Sequence, residues 1–197
     1  VDQLFTYSLY EDGTAKITGY LSETPNVVIP TKIKGYTVTD IGNYAFKNCT
    51  SITDLTIPNT VTNIGIGAFN GCKNLISITM PGMIGAGLSA RWNYNSGNTD
   101  NSFGNCTGLK SVTVTDGLTQ DLKYIFKDKK PETIILTDGI TSIPAHAFDG
   151  GYWLQSITIP QSVASIGSCA FRGCTNLTDI ELPTGLTKIE DSAIANT

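Results

Sequence analysis

Residues 161–183 read Gln161-Ser-Val-Ala-Ser-Ile-Gly-Ser-Cys-Ala-Phe-Arg-Gly-Cys-Thr-Asn-Leu-Thr-Asp-Ile-Glu-Leu-Pro183, and the same pattern runs from Asn59 to Pro81. Val61, Ile64, Gly65, Ala68, Phe69, Cys72, Leu75, Ile78 and Pro81 fall where Val163, Ile166, Gly167, Ala170, Phe171, Cys174, Leu177, Ile180 and Pro183 fall. Self-similarity at a fixed period of this size marks a repeat array, in which each unit buries its apolar face only by stacking on the next. One residue type lays the copies out. Phe recurs at 46, 69, 103, 126, 148 and 171, with gaps of 34 residues before Phe103 and 22 or 23 elsewhere, and Ile194 takes the next rung. Phe5 alone of the seven stands outside this ladder. A ring at one angular position in every coil stacks on its neighbours, so the ladder is read as the core spine.

Two residues past each Phe the chain uses only Asn48, Gly71, Asn105, Asp128, Gly150, Gly173 and Asn196. These residue types tolerate a left-handed backbone, so the Ala-Phe unit is read as a short helical turn closed by such a residue. A strand follows each turn. Its apolar residues alternate with polar ones (Leu55 and Ile57, Ile78 and Met80, Val112 and Val114, Ile134 and Leu136, Ile157 and Ile159, Ile180 and Leu182), the period of a half-buried strand. Between them stand Thr56, Thr79, Thr113, Ile135, Thr158 and Glu181. Stacked coils turn this column into a threonine ladder on the solvent face. A second apolar segment in each coil, such as Val163–Ile166, supplies the opposite wall.

Residues 1–28 hold no copy of the repeat. Two β-prone runs flank Glu11-Asp12-Gly13-Thr14, a hairpin signal, and an array needs an atypical end unit to protect its core and strand edge. The expectation is a hairpin cap over 1–28 and a repeat array over 29–197. The last repeat breaks off at Thr197 before the strand its pattern calls for, and is expected to be incomplete.

The run Val-Thr-x-Ile-Gly-x-x-Ala-Phe-x-x-Cys, then Leu-x-x-Ile-x-Ile-Pro, resembles the BspA-like, Treponema pallidum type leucine-rich repeats, and Phe5 to Val38 is similar to that family's lead-in. The resemblance implies a right-handed leucine-rich-repeat solenoid of about 23-residue coils with one parallel sheet. It also implies a secreted or surface-attached bacterial protein whose relatives act in adhesion to host matrix proteins or other bacteria. An export signal is taken to have been removed ahead of Val1.

Composition allows a core and argues against two classes of partner. Of 197 residues, 40% are hydrophobic, enough for a core, and only 15% are charged. The net charge of −4 argues against nucleic acid and anionic membranes, which call for a basic face. No apolar run approaches the roughly 20 residues that span a bilayer.

Two departures from the repeat locate candidate sites. Pro81 to Phe103 spans 22 residues where sister repeats need 11, so an insertion lies at about 82–101. It carries Arg91, Trp92 and Tyr94, residue types enriched at recognition hot spots and suited to stacking on a sugar. Trp92 has a second role open to it, covering the core where the coil is opened. The fourth coil carries Lys123, Lys127, Lys129 and Lys130 among acids, and reads as a solvated surface. The other candidate surface is the threonine face, Thr56, Thr79, Thr113 and Thr158, a flat polar sheet of the kind solenoids use for extended contacts, or else only a solubilising one.

Cys49, Cys72, Cys106 and Cys174 share one column. A metal ladder or disulfides are conceivable there, but no CxxC pair or histidine accompanies them, and the expectation is buried unbridged thiols. His146 and Cys169 fall in one column on successive coils, the raw material of a nucleophilic dyad. That column otherwise holds Tyr44, Gly67, Asn101, Tyr124 and Ser192, as a variable surface position would, and no orienting third residue is evident. The resulting expectation is a non-enzymatic extracellular module without cofactor or metal, binding a host matrix or microbial surface protein or a glycan. The alternative is a structural spacer that holds another domain off the cell surface.

Overall fold

A computed structural model describes residues 3–82, 102–118 and 130–197 of the chain. They fall into two compact units, Val1–Ile78 with Gly87–Leu109 and Thr79–Ala86 with Lys110–Thr197. Arg91, Trp92, Tyr94, Phe126 and the lysines at 123, 127 and 129 lie outside the described residues.

The first unit opens with the expected hairpin, β1 (Phe5–Leu9) antiparallel to β2 (Thr14–Tyr20). Its turn is held where the sequence put it: Gly13 has φ +83°, and Asp12 Oδ1 accepts from Thr14 N at 2.9 Å and Thr14 Oγ1 at 2.6 Å. The strands β3 (Asn26–Val28), β4 (Lys32–Ile33), β5 (Tyr36–Ile41), β6 (Asp54–Thr56), β7 (Asn63–Ile64) and β8 (Ser77–Met80) follow. β3 pairs in parallel with β6, and β6 neighbours β8. On the opposite wall β2, β5 and β7 run parallel, Ile41 facing Ile64.

In the second unit β9 (Ser111–Asp116), β10 (Thr133–Gly139), β12 (Ser156–Thr158) and β14 (Asp179–Ile180) make one parallel wall. β11 (Ser142–Ile143), β13 (Ser165–Ile166) and β15 (Lys188–Ile189) make the other. Paired residues follow the repeat: Val112, Ile134, Ile157 and Ile180 stand in one line, and Ile143, Ile166 and Ile189 in another. The repeat therefore sets the register, as stacked coils of one pattern must.

Between the walls run the rings. Phe46 and Phe69 stack at 4.9 Å, and Phe69 and Phe103 at 5.0 Å, nearly parallel. Phe148 and Phe171 do the same in the second unit at 5.3 Å. Phe5, which the spacing leaves out of the ladder, is buried against its first rung, 6.2 Å from Phe46, and Tyr20 stacks on Phe46 at 5.3 Å. The hairpin thus closes the column with rings of its own.

The Ala-Phe units are not helical; the described residues contain no helix. The physical reason lies in where their amide groups go. Tyr44, Phe46 and Asn48 donate N–H to carbonyls of Ile66, Ala68 and Asn70 in the next coil, while Ala45, Lys47 and Cys49 donate back three residues. Each second donor is thereby used between coils, whereas an α-helix sends every one back four residues within itself. The left-handed residue is present as expected: Asn48, Gly71, Asn105, Gly150, Gly173 and Asn196 all have positive φ, from 55° to 84°.

Candidate functional site

Strand alternation places two polar columns on the outer face of the main walls. One runs Asn26 and Asp54 by register, with Ser77 bonded to Asp54, and in the second unit Ser111, Thr133, Ser156 and Asp179. The other holds Val28 beside Thr56, Thr79 on the face of β8 that carries Ser77, and Thr113, Ile135 and Thr158 in register. The register shown for this column is thus Val28 and Thr56 in the first unit and Thr113, Ile135 and Thr158 in the second, Ile135 interrupting the threonines. Thr56, Thr79 and Thr113 are half-buried and Thr158 is exposed.

Side chains along this face bond to one another. Asp54 accepts from Ser77 Oγ through Oδ1 and from Thr53 Oγ1 through Oδ2 at 2.7 Å. Those two bonds, Ser77 first, hold its carboxyl below the usual aspartate range. Thr133 and Ser156 hydroxyls meet at 3.1 Å, and Thr137 Oγ1 donates to the Thr115 carbonyl at 2.8 Å. In the first unit the face carries the Asp54 carboxylate beside Ser77, and in the second a row of hydroxyls at Ser111, Thr133 and Ser156 that leads to Asp179. The face offers donors and acceptors at coil spacing to a polar partner.

Of the cysteine column, Cys72, Cys106 and Cys174 meet the expectation of burial, whereas Cys49 is only half-buried. All five cysteines are free, and Cys72, Cys106 and Cys174 are buried. Their thiols donate to the carbonyls of Phe46, Phe69 and Phe148, one coil back, at 3.1, 3.2 and 3.2 Å. Burial pushes Cys49 and Cys174 up to about 11. Cys72 is raised as well, first by its hydrogen bond with Cys106 and then by burial. These are protonated packing groups. Among the described residues no group of three or more His, Cys, Asp or Glu is placed to hold a metal ion.

The hydrogen bond at His146 goes to Asp149, not to Cys169: Nδ1 lies 2.9 Å from Asp149 Oδ2. Arg172, one coil on, grips the same carboxylate with Nε at 2.9 Å and Nη2 at 2.6 Å. Asp149 is held below its ordinary range by Arg172 foremost. This three-residue clasp joins two coils.

The column read as a variable surface position is constrained in its backbone. Tyr44, Gly67, His146, Cys169 and Ser192 all have φ between 55° and 59°. The signal was faint, because only Gly67 and Asn101 in that column are residues that favour such backbone. Sequence reasoning also missed Tyr152, 52% exposed, with Lys130 Nζ 5.2 Å from its ring centroid.

The family model described as BspA type Leucine rich repeat region matches residues 22–87 and 99–197 in 6 copies. Among solved structures, the T. pallidum Leucine Rich Repeat protein matches with a TM-score of 0.51 at 23% identity, over 99% of this chain and 80% of that one. A leucine-rich repeat protein from Bacteroides ovatus ATCC 8483 matches with a TM-score of 0.53 at 28% identity, over 97% of this chain and 49% of that one. The first likeness speaks to the fold, and this chain spans about half the length of the second protein. No curated protein matches the sequence.

Proposed function

Because the chain belongs to the BspA type leucine-rich repeat family, we propose that it is a non-enzymatic interaction module that works outside the cell. Its partner is a host matrix or microbial surface protein, or a glycan, met by the polar strand face. The observation that carries this reading is the pair of hydroxyl and carboxylate columns spaced by the coils. A flat array of fixed hydrogen-bonding groups on a rigid sheet loses little side-chain freedom on contact with a partner. The inserted segment with Arg91, Trp92 and Tyr94 adds a second recognition element of the composition found at hot spots.

The test is an array of matrix proteins and glycans probed with the chain and three variants. Thr158→Lys, at an exposed position of the face, should weaken capture by at least about tenfold, the scale of one well-placed contact. Trp92→Ala and Tyr94→Ala should do the same if the inserted segment touches the ligand. Capture unaltered in all three removes the site assignment. An array with no captured ligand at all favours the spacer.

A further inference from the structure

Three coils of the second unit carry the most regular part of the outer face. β9, β10 and β12 pair in parallel, so that Ser111, Thr133 and Ser156 stand in one line and Thr113, Ile135 and Thr158 in the next. Thr115 and Thr137 follow on the same face further along β9 and β10, and Thr137 Oγ1 donates to the Thr115 carbonyl at 2.8 Å. None of these side chains is buried. The residues of the three strands include no Lys, Arg or aromatic. Charge begins only beside the array, and it is mostly acidic. Asp116 and Asp138 stand near the strand ends, Asp179 and Glu181 on the next coil, and Glu132 and Lys110 just ahead of the strands.

We propose that this array binds a neutral, extended polysaccharide, laid along the three coils with its sugars in step with them. The inference rests on the reading of the polar face given above and narrows its partner. The outward positions hold no cation to grip a sulfated or uronic acid chain, and the acids around them repel one. Nor do they hold the aromatic or Arg anchors that dominate contacts between proteins. What they have is a period. Hydroxyls recur at each strand step of about 4.8 Å, close to the advance of one sugar in an extended β-linked chain. A hydroxyl has one donor and two acceptor positions, so Thr133 and Ser156, which meet at 3.1 Å, keep capacity for sugar hydroxyls. The threonine methyls and Ile135 offer apolar contact to the C–H faces of the rings. Because β-branched side chains are stiff about χ1, little freedom is lost on binding.

Calorimetric titration of the intact chain with a β-linked glucose oligomer long enough to span three coils tests this, beside a uronic acid oligomer of the same length. The neutral oligomer should bind with an affinity that salt leaves unchanged, and the uronic one at least about tenfold more weakly. The double variant Thr113→Val with Thr158→Val removes two hydroxyls at nearly unchanged shape. It should lower affinity by at least about tenfold with an unchanged circular dichroism spectrum. Ser142→Ala, at an exposed position of the opposite wall, should bind as the wild type does. No binding of the neutral oligomer overturns the proposal, as does equal affinity for the uronic one or full affinity in the double variant. A matrix protein captured through Thr158 while the neutral oligomer stays unbound overturns the sugar and leaves the interaction module standing. Failure of both removes both.

Discussion

At the residue scale, stability is set by groups that sit at special backbone or in shared hydrogen bonds. Cys169 occupies left-handed backbone at φ 55°. Asn accepts that conformation more readily, so Cys169→Asn should stabilise the fold by roughly 0.5–1 kcal/mol in urea titrations. Protonation supplies a second check. Asp12, Asp54, Asp149 and Glu190 are all held below their ordinary ranges by hydrogen bonds. A depressed acid stabilises above its unfolded pKa and loses that contribution as pH falls through the folded one. Unfolding free energy should therefore decline below about pH 4, and Asp149→Asn should flatten the decline. Asp116, raised by burial, works the other way. The acids' partners were only partly legible: Thr14 is two positions from Asp12 in sequence, whereas Arg172 reaches Asp149 from 23 positions away.

At the element scale, the coil is a compromise between turn chemistry and stacking. The Ile-Gly step of the motif is explained by contact: a Cβ on Gly65 would lie 2.5 Å from Asn43 N, and one on Gly167 would fall on Ala145 N. Coils could not approach to hydrogen-bonding distance with a side chain there. Gly65→Ala should cost about 1–3 kcal/mol, the usual price of overpacking, read as a lower urea midpoint. Phe69 stacks on Phe46 on one side and Phe103 on the other, and Phe69→Ala should cost roughly 3–5 kcal/mol. The column of rings was visible in the spacing alone. The conformation of the Ala-Phe unit was not, because local preference favours a helical turn and only the neighbouring coil's carbonyls redirect alternate amides.

At the scale of the whole molecule, the buried thiols report on integrity. Cys72, Cys106 and Cys174 should resist a mild thiol reagent in the native protein and react together on unfolding, since each is buried with its thiol hydrogen-bonded to a carbonyl of the preceding coil. Fast native reaction at Cys174 would show that the second unit opens locally. The sequence by itself determined the repeat, the rings that fill each coil, the column of each threonine and the family, because residues at one phase of a repeat must share one environment. Only the tertiary structure decided that the turns are not helical, that Phe5 joins the ring column, and that His146 serves Asp149. The division has one cause. Periodicity records what every coil has in common, whereas hydrogen bonds between coils depend on which neighbour is there to supply the other half.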